Sequence, residues 1–354
     1  MRRLISALVL TSLLAVSSPL GYAQRTSDKS KKTTAVSATA QRGVDTISAS
    51  QMKDYLTFIA SDEMEGRDTP SRGLDTTAKF IAMNLSRWGF KPAGDNGTFL
   101  QRIDLKRDRV QGAQTRVELN GRVLTPGTDY LPVGGSGNIS GQLVFAGNGW
   151  FLKSKQMDAY SGVDANGKIA VIFGSPNGPG RGGVRAEGKQ GEDFLNPSDY
   201  ARKVGAVGII YLPDYQYLAN WERFRQRIME RGTTVVAKFQ TQTAPLPSIV
   251  VSPDVATSIF LGETQSAVGI FNASYGQSLP ASFALNPKKT MTLSLTSKSE
   301  IVPTQNVVAI WEGSDPVLKD EYVAVGAHYD HVGICPPVGA DNICNGADDD
   351  GSGT

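Results

Sequence analysis

The stretch that decides the fold lies near the end of the chain: Gly326-Ala327-His328-Tyr329-Asp330-His331-Val332-Gly333, followed by Asn345-Gly346-Ala347-Asp348-Asp349-Asp350-Gly351-Ser352-Gly353. Both histidines of the chain lie in it. His328 and Asp330 are two residues apart at the end of a predicted strand, so their side chains lean to the same face. An imidazole in that position can hold a metal ion while the carboxylate orients it from behind. The combination of imidazole and carboxylate favours zinc or a similar transition metal over calcium.

Three consecutive aspartates between glycines predict a tight turn that directs at least one carboxylate towards a cation. Two alternatives involve no zinc. The first is a histidine at a strand end with a solvated Asp-Gly turn. The second is an EF-hand-like calcium loop, but Asp348-Asp349-Asp350-Gly351 lacks the alternating spacing that such a loop needs.

Working outward, strong strands are predicted at Gln305–Trp311 and Glu321–Ala327, and the Gly-Ser-Asp-Pro turn between them predicts a hairpin. Two amphipathic helices near the front of the chain are predicted to belong to the same α/β domain. The first begins at the Ser48-x-x-Gln51 capping box, and the second runs from Leu74 to Trp88 and stops at Gly89. The positions expected to face inward are Met52, Tyr55, Leu56 and Ile59 in the first helix and Ala78, Ile81, Leu85 and Trp88 in the second.

The composition of the sequence changes from about Val110 to Leu295, where short apolar runs are separated by Gly, Pro, Asn and Asp. This pattern predicts a β-rich domain inserted into the α/β domain. Its clearest elements are strands at Gly141–Ala146, Lys168–Phe173, Val207–Leu212 and Ser248–Val251, and a short helix at Pro197–Val204.

The front of the chain predicts export. Arg2 and Arg3 precede an apolar run from Leu4 to Val16, and Gly21-Tyr22-Ala23 ends in a small residue, so residues 1–23 resemble a cleaved secretory signal peptide. Residues 24–47 are rich in Ser, Thr, Lys and Gln and predict a disordered lead-in. The mature protein is therefore expected in a secreted or periplasmic location, with no membrane attachment after cleavage.

The net charge bears on the expected binding partners, and the cysteines on a disulfide. The formal net charge of +2 falls to zero when the two arginines of the signal are removed, so nucleic acid and anionic membrane are not expected partners. The two cysteines, Cys335 and Cys344, lie close together, and in an exported protein they predict a disulfide. A thiolate zinc site is the alternative, but the spacing offers no partners for it.

Together these motifs resemble the two-zinc aminopeptidases of the bacterial leucyl aminopeptidase type, which are related to glutamate carboxypeptidase and the transferrin receptor. In that family a strand ends in His-x-Asp, and a loop leads to Gly-Ala-(Asn/Asp)-Asp-(Asn/Asp)-x-Ser-Gly. The resemblance implies that His328 is a ligand of one zinc ion and that Asp349 bridges two. It implies that Asp330 is a catalytic residue, the carboxylate that orients His328. The implied activity is hydrolysis of N-terminal residues from peptide substrates by a hydroxide held between two zinc ions.

The resemblance covers most of the chain. Residues 48–109 resemble the front of the peptidase domain, in which Leu56–Arg67 is similar to the family's opening helix, and residues 296–354 resemble the start of the zinc-peptidase core. The block at 110–295 is similar to a protease-associated domain, with Gly167–Ile172 and Ala201–Ile210 carrying the likeness. The fold implied is a partial mixed sheet with flanking helices, interrupted by that β-rich domain.

One departure from the family pattern concerns catalysis. The family also uses a Glu-Glu pair, a further carboxylate and a second, distant histidine, and this sequence has no adjacent glutamates. The chain as written is therefore expected to be an incomplete, inactive form of such an enzyme. A non-catalytic binding relative, and a carboxypeptidase or glutaminyl cyclase of the same fold, are the alternatives.

Overall fold

The computed structural model describes residues 37–174, 186–239, 244–275 and 281–354. Contacts divide the chain into two compact units, one ending at Met52 and one running from Lys53 to Thr354. In the first, helix α1 (Ala38–Val44) is capped by the Ser37 hydroxyl, which accepts a hydrogen bond of 3.1 Å from the Ala40 amide. The predicted signal peptide lies outside the described residues. Residues 24–47 were predicted to be disordered. The structure instead forms this short, fully exposed helix within them, with the Ser37 cap at its start.

The two predicted front helices form as α2 (Ala49–Ile59) and α3 (Arg72–Arg87). A 3-10 segment at Asp62–Arg67 joins them. Gly89, at φ +85°, follows the end of α3 as predicted. Two of the residues predicted to face inward are instead exposed, Met52 at 57% and Trp88 at 51%, so the prediction is wrong for them. A periodic apolar pattern identifies a helix face, but it does not show how far along that face a packing partner extends.

The remaining helices lie in the middle block and are mostly short: α4 (Pro197–Lys203), α5 (Tyr215–Ala219), α6 (Trp221–Arg225), α7 (Pro253–Phe260) and α8 (Ala267–Tyr275). α6 continues directly as a π-helix over Gln226–Arg231. The strands are β1 (Lys91–Pro92), β2 (Leu100–Val110), β3 (Arg116–Leu119), β4 (Arg122–Leu124), β5 (Tyr130–Pro132), β6 (Gly137–Phe145), β7 (Phe151–Leu152), β8 (Met157–Asp158), β9 (Ile169–Phe173), β10 (Phe194–Leu195), β11 (Gly208–Leu212), β12 (Thr233–Val236), β13 (Ser248–Val251), β14 (Phe283–Ala284), β15 (Thr290–Leu295), β16 (Ser297–Val307), β17 (Ala309–Ile310), β18 (Ile334–Val338) and β19 (Asp341–Ile343).

A nine-stranded mixed sheet forms the body of the middle block, in the order β4-β3-β15-β6-β9-β11-β13-β5, with β14 also paired to β6. The central strands β6, β9, β11 and β13 run parallel, and the strands around them are antiparallel. All four predicted strands and the predicted helix of this block are confirmed as β6, β9, β11, β13 and α4. The predicted α/β class, a mixed sheet with flanking helices, is likewise confirmed.

Apolar side chains from both faces of this sheet build two cores. Ile169 and Val171 of β9 belong to one core and Ala170 and Ile172 to the other, because successive residues of a strand point to opposite faces. Helix α7 contributes to the first core and α4 to the second. A strand buried on both faces is apolar throughout, and this explains why these strands were recognisable from sequence.

A long antiparallel ribbon carries the chain into and out of this block. β2 pairs with β16 along its whole length, from Leu100 opposite Val307 to Val110 opposite Ser297, and β12 pairs with the other edge of β2. The chain therefore enters and leaves the block at one place. Beyond it, β17 pairs with β1.

The predicted hairpin of Gln305–Trp311 with Glu321–Ala327 is wrong. The first strand ends as β16 and β17, while the second forms no strand, and Val323 and Val325 are 94% and 95% exposed. A strand needs a neighbour to satisfy its amide and carbonyl groups, and residues 321–327 pair with no described strand. Among the described residues, no helix is both long enough and apolar enough to cross a membrane.

Candidate metal centre

The two segments of the C-terminal motif meet at one point of the structure. The His328 Nε2 atom lies 3.2 Å from Oδ1 of Asp349. The other ring nitrogen, Nδ1, faces Asp330, at 3.1 Å from its carbonyl oxygen and 3.3 Å from its carboxylate Oδ1. The structure thus brings together all three residues that the sequence singled out, with His328 between the two carboxylates.

The histidine is held by its backbone as well. Its amide donates to Oδ2 of Asp350 at 3.2 Å, and its carbonyl accepts from the Thr354 hydroxyl at 3.0 Å. Desolvation alone would lower the pKa of His328, but the hydrogen bonds to Asp330 and the charges of Asp330 and Asp350 raise it above the ordinary value. The peptide bond between Asp349 and Asp350 is cis.

The second histidine, His331, is mostly buried, with 16% of its side chain exposed. Its Nδ1 atom lies 3.7 Å from the second carboxylate oxygen of Asp349. Asp348 is exposed, and the structure gives it no hydrogen bond or ion pair with a described residue. Of the three aspartates, Asp349 is therefore the one that faces both histidines.

Arg67 is a residue that sequence reasoning did not assign to the site. Its side chain is fully buried, and all three guanidinium nitrogens donate to backbone carbonyls. Nε donates to Tyr329 at 2.8 Å, Nη1 to Ile59 at 2.6 Å and Asn345 at 2.7 Å, and Nη2 to Gly346 at 2.7 Å. A single side chain thereby ties the His328 segment and the aspartate turn to the end of α2.

The turn that carries Arg67 has an unusual backbone. Glu65, Gly66 and Arg67 all have positive φ, at 51°, 63° and 51°. A Cβ at Gly66 would lie 2.5 Å from the Gly333 carbonyl oxygen, so only glycine fits there. The amide of Gly333 donates to the Gly66 carbonyl at 2.9 Å, and the amide of His331 donates to the Arg67 carbonyl at 3.0 Å.

The side chains of Thr69 and Asn345 make further contacts around these residues. The Thr69 hydroxyl donates to Oδ2 of Asp330 at 2.8 Å, which leaves Oδ1 towards His328. The Asn345 amide donates to the Ala60 carbonyl at 2.9 Å and to the Asp62 carboxylate at 2.8 Å. The Thr69 contact fixes the carboxylate of Asp330, and the Asn345 contacts hold the start of the aspartate turn against the connection that follows α2.

A short hairpin of β18 and β19 spans the loop between the two halves of the motif. The structure joins Cys335 and Cys344 there by a disulfide, with their Cα atoms 5.8 Å apart. The Cys344 amide donates to the carbonyl of Gly333 at 3.0 Å. The disulfide thus closes the loop directly beside the turn that places Asp349.

A cleft of about 430 Å3 opens in front of these residues. The motif lines one side with His328, Asp330, His331 and Asp349, and the other side is formed by β2, β12 and the helix of α6 and its π-helical extension. Burial raises the pKa of Asp68 in this cleft, and the charge of Arg231, at 3.2 Å, opposes that rise. The site is therefore open, polar and large enough to admit part of a peptide chain.

Two donors at this point fit a zinc ion. Two ligands of one tetrahedral zinc lie about 3.4 Å apart when the metal–ligand bonds are about 2.1 Å. The separation of 3.2 Å between His328 Nε2 and Asp349 Oδ1 matches that span. The described part of the chain contains no group of three or more His, Cys, Asp or Glu side chains arranged to hold a metal. The described residues could therefore supply two donors to a zinc ion, and not a complete set of ligands.

The C-terminal segment is similar to a known protein family. Residues 306–354 match the family model described as peptidase family M28. The match is confined to this segment of the chain. The matched segment contains His328, Asp330 and Asp349.

Solved structures of aminopeptidases were also matched, at low similarity. An aminopeptidase from Aneurinibacillus sp. strain AM-1 is 14% identical at a TM-score of 0.44, and the match covers 86% of this chain and 56% of that one. BSAP, a zinc aminopeptidase from Bacillus subtilis, is 16% identical at a TM-score of 0.33, covering 85% and 54%. The chain thus spans little more than half the length of these proteins. A search of curated proteins gave no match.

Proposed function

We propose that the protein is an exported zinc-dependent aminopeptidase that uses two metal ions, with His328 as a ligand of one and Asp349 as the bridge between both. The observation that carries the proposal is the 3.2 Å approach of His328 Nε2 to Asp349 Oδ1 within the M28 segment. Zinc at such a position supplies Lewis acidity and a nucleophile near neutral pH.

In this proposal, Asp330, Thr69 and Arg67 position the two metal ligands. Asp330 holds Nδ1 of His328, so that Nε2 is presented to the metal with its lone pair. Thr69 keeps the Asp330 carboxylate from rotating. Arg67 holds the backbone of both motif segments, so the distance between imidazole and carboxylate is set before any metal binds.

Zinc binding is the test. Isothermal titration of the chain with zinc, after removal of metal by a chelator, should show binding that is lost in Asp349→Ala and in His328→Ala. Asp348→Ala is the matched control, since this aspartate is exposed and contacts neither histidine. Equal affinity in the Asp349 and Asp348 variants would contradict the proposal.

The peptidase activity is tested separately, on the protein isolated from its native source. Release of the first residue from a peptide with a free N-terminus, abolished by N-acetylation, would support an aminopeptidase. Release from the C-terminal end would assign a carboxypeptidase instead. Zinc binding without hydrolysis of either peptide would favour the non-catalytic alternative.

Export is proposed from Arg2, Arg3 and the apolar run that follows, and from the disulfide, a bond typical of oxidising compartments. The middle block is proposed to be a protease-associated domain that borders the cleft. N-terminal sequencing of the exported protein should begin at Gln24, and Ala23→Lys should leave the precursor uncleaved. A mature protein that still begins at Met1 would contradict the export proposal.

A further inference from the structure

One arginine of the middle block crosses the cleft to the segment that carries the metal-binding motif. Arg231 ends the π-helical extension of α6, and Gly232, at φ +84°, turns the chain from there into β12. A Cβ at Gly232 would lie 2.8 Å from the Asp108 carbonyl oxygen of β2, so only glycine fits there. This close packing fixes the point at which the Arg231 side chain leaves the block.

The guanidinium group of Arg231 binds the opposite wall at three points. Nη1 donates to Oδ2 of Asp68 at 3.2 Å and to the Val332 carbonyl at 3.0 Å. Nη2 donates to the Ile334 carbonyl. The Arg231 side chain is 32% exposed, so these bonds are partly shielded from water. A planar fork of donors suits several acceptors in fixed positions, which a lysine ammonium group does not match.

The contact with Asp68 leads to His328 through successive hydrogen bonds. The other oxygen of the Asp68 carboxylate, Oδ1, accepts from the Thr69 amide at 2.9 Å. The Thr69 hydroxyl donates to Oδ2 of Asp330 at 2.8 Å. Oδ1 of Asp330 then lies 3.3 Å from Nδ1 of His328. The position of the Arg231 guanidinium group therefore bears on the orientation of the imidazole.

The two carbonyl contacts hold the loop that follows the second histidine. Val332 and Ile334 flank Gly333 in this loop. Gly333 has φ +75°, and a Cβ there would lie 2.7 Å from the Cβ of Asp68. Glycine is therefore required at this position for the loop to come close enough to share one guanidinium group with Asp68.

That loop is connected to Asp349 from both of its ends. The side chain of His331, just before it, lies 3.7 Å from the Asp349 carboxylate. The Gly333 carbonyl accepts from the Cys344 amide at 3.0 Å, where the chain leads into the aspartate turn. A displacement of the loop would therefore move the groups that border Asp349.

We propose that Arg231 is a positioning residue of the metal centre, supplied by the middle block. It contacts neither His328 nor Asp349, and it acts through the two segments that hold them. The inference rests on the proposed zinc site, and it gives the middle block a part in metal binding beyond bordering the cleft. The affinity for zinc and the geometry of its ligands then depend on a side chain of the block.

The charge of Arg231 and its position predict opposite effects on zinc binding. A cationic side chain in the cleft repels a zinc ion, so its removal should strengthen zinc binding through charge alone. Removal of a positioning residue should weaken zinc binding, as it does for residues that orient metal ligands. The sign of the change therefore separates the two roles.

The test is titration calorimetry of the full chain with zinc, after removal of metal by a chelator. R231Q should bind zinc about fivefold to tenfold more weakly, near the lower end of the range for residues that orient ligands directly. R231K should recover only part of the loss, because one ammonium group cannot reach all three acceptors.

R227Q is the matched control. Arg227 lines the same cleft and its charge acts on Asp68, but it makes no hydrogen bond with a residue in the described ranges. Loss of the same charge from the same helix should therefore leave the zinc affinity unchanged or slightly higher.

Cobalt(II) in place of zinc gives a readout that a loss of stability alone would not move. Its visible absorption reports the arrangement of the ligands, and at saturating cobalt the bands should shift in R231Q and stay in place in R227Q. Asp68→Asn breaks the same ion pair from its other side and serves if R231Q does not fold. It should weaken zinc binding to a similar extent, and the double variant should lose little more than either single variant.

In a chain that binds zinc, unchanged affinity and cobalt bands in R231Q and Asp68→Asn would overturn this inference alone. An equal loss of affinity in R227Q would also overturn it, because position would then not matter. If the unaltered chain bound no zinc, the proposed function would be contradicted, and this inference with it.

Discussion

The middle block and the C-terminal segment that holds the candidate site are stabilised by different interactions. In the block, Ile169, Ile210 and Val250 are fully buried in parallel strands, between two apolar cores. In the segment, residues 311–328 are all exposed, including several large apolar side chains. The motif residues that follow are held by hydrogen bonds to one buried arginine.

The difference shows where each region obtains its order. Apolar burial is spread over many side chains, so the block does not depend on any single polar contact. The site depends on Arg67, because the carbonyls that it satisfies come from three separate places in the chain. Substitutions in the two regions should therefore differ in size and in reach.

The largest effect is expected in the core of the block. Phe145 is fully buried against Phe260 and Phe283, with ring centroids 5.8 and 5.3 Å away. Phe145→Ala should lower the free energy of unfolding by about 3–5 kcal/mol, through lost burial and the cavity left behind. Denaturant unfolding measures this. Phe239→Ala, at a side chain 77% exposed, is the control and should change it little. Similar losses in both would refute the contrast.

Arg67→Ala should come next, at about 3 kcal/mol, because it leaves buried carbonyls without donors. The loss should appear locally, as faster hydrogen exchange of the amides of His331 and Gly333 and as weaker zinc binding, with the strands of the block still protected. Arg67→Lys keeps the charge but cannot supply the fork of nitrogens, and should recover only part of the loss.

The control for Arg67 is Arg72→Ala. Arg72 is 78% exposed and pairs with Glu65 at the surface, so its removal should cost less than about 1 kcal/mol. If exchange in the motif were unchanged in Arg67→Ala, the site would not depend on that side chain.

A smaller effect is expected from the disulfide. Cys335→Ser opens a loop whose ends are nine residues apart, for which chain entropy gives about 2–3 kcal/mol. Hydrogen exchange in β18 and β19 should accelerate. Cys344→Ser and the double variant should behave identically, because all three break the same bond. An effect of Cys344→Ser alone would point to a role of that residue outside the disulfide.

The smallest effect is expected in the exposed segment. Val325→Thr should change the free energy of unfolding by less than about 0.5 kcal/mol, since Val325 is 95% exposed. Val171→Thr, the same substitution in buried β9, should cost about 1–3 kcal/mol, because it buries a hydroxyl. A cost above 1 kcal/mol for Val325→Thr would indicate that this residue is buried in the strand that the sequence predicted.

Sequence patterns predicted the elements whose signal is local. The four central strands are continuous apolar runs, and α3 has periodic apolar residues followed by Gly89, so their positions could be assigned without knowledge of their partners. The strand predicted at Glu321–Ala327 has the same local signal but no strand beside it, and it does not form. The signal for a strand describes the side chains and not the availability of a neighbour.

The sequence did not predict the burial of Arg67, nor which arginines line the cleft. Arg67 stands in a polar connection, where an arginine is ordinarily solvated, and only the packing of the motif around it makes it a buried donor. The one signal for it in the sequence is its place at the end of Leu56–Arg67, a stretch that carries the family resemblance. Arg223 and Arg225 are alike in sequence, and the fold pairs one and leaves the other facing the cleft.

The sequence by itself determined which residues could hold a metal, because imidazole and carboxylate at the spacing of His328, Asp330 and Asp349 are chemical facts of the chain. It also determined the strands of the block, through the apolar runs that must be buried. Only the tertiary structure decided that His328 and Asp349 approach to 3.2 Å, and that Arg107, Arg223, Arg227 and Arg231 line the same cleft as these residues. Both depend on contacts between distant parts of the chain, which local propensity does not encode.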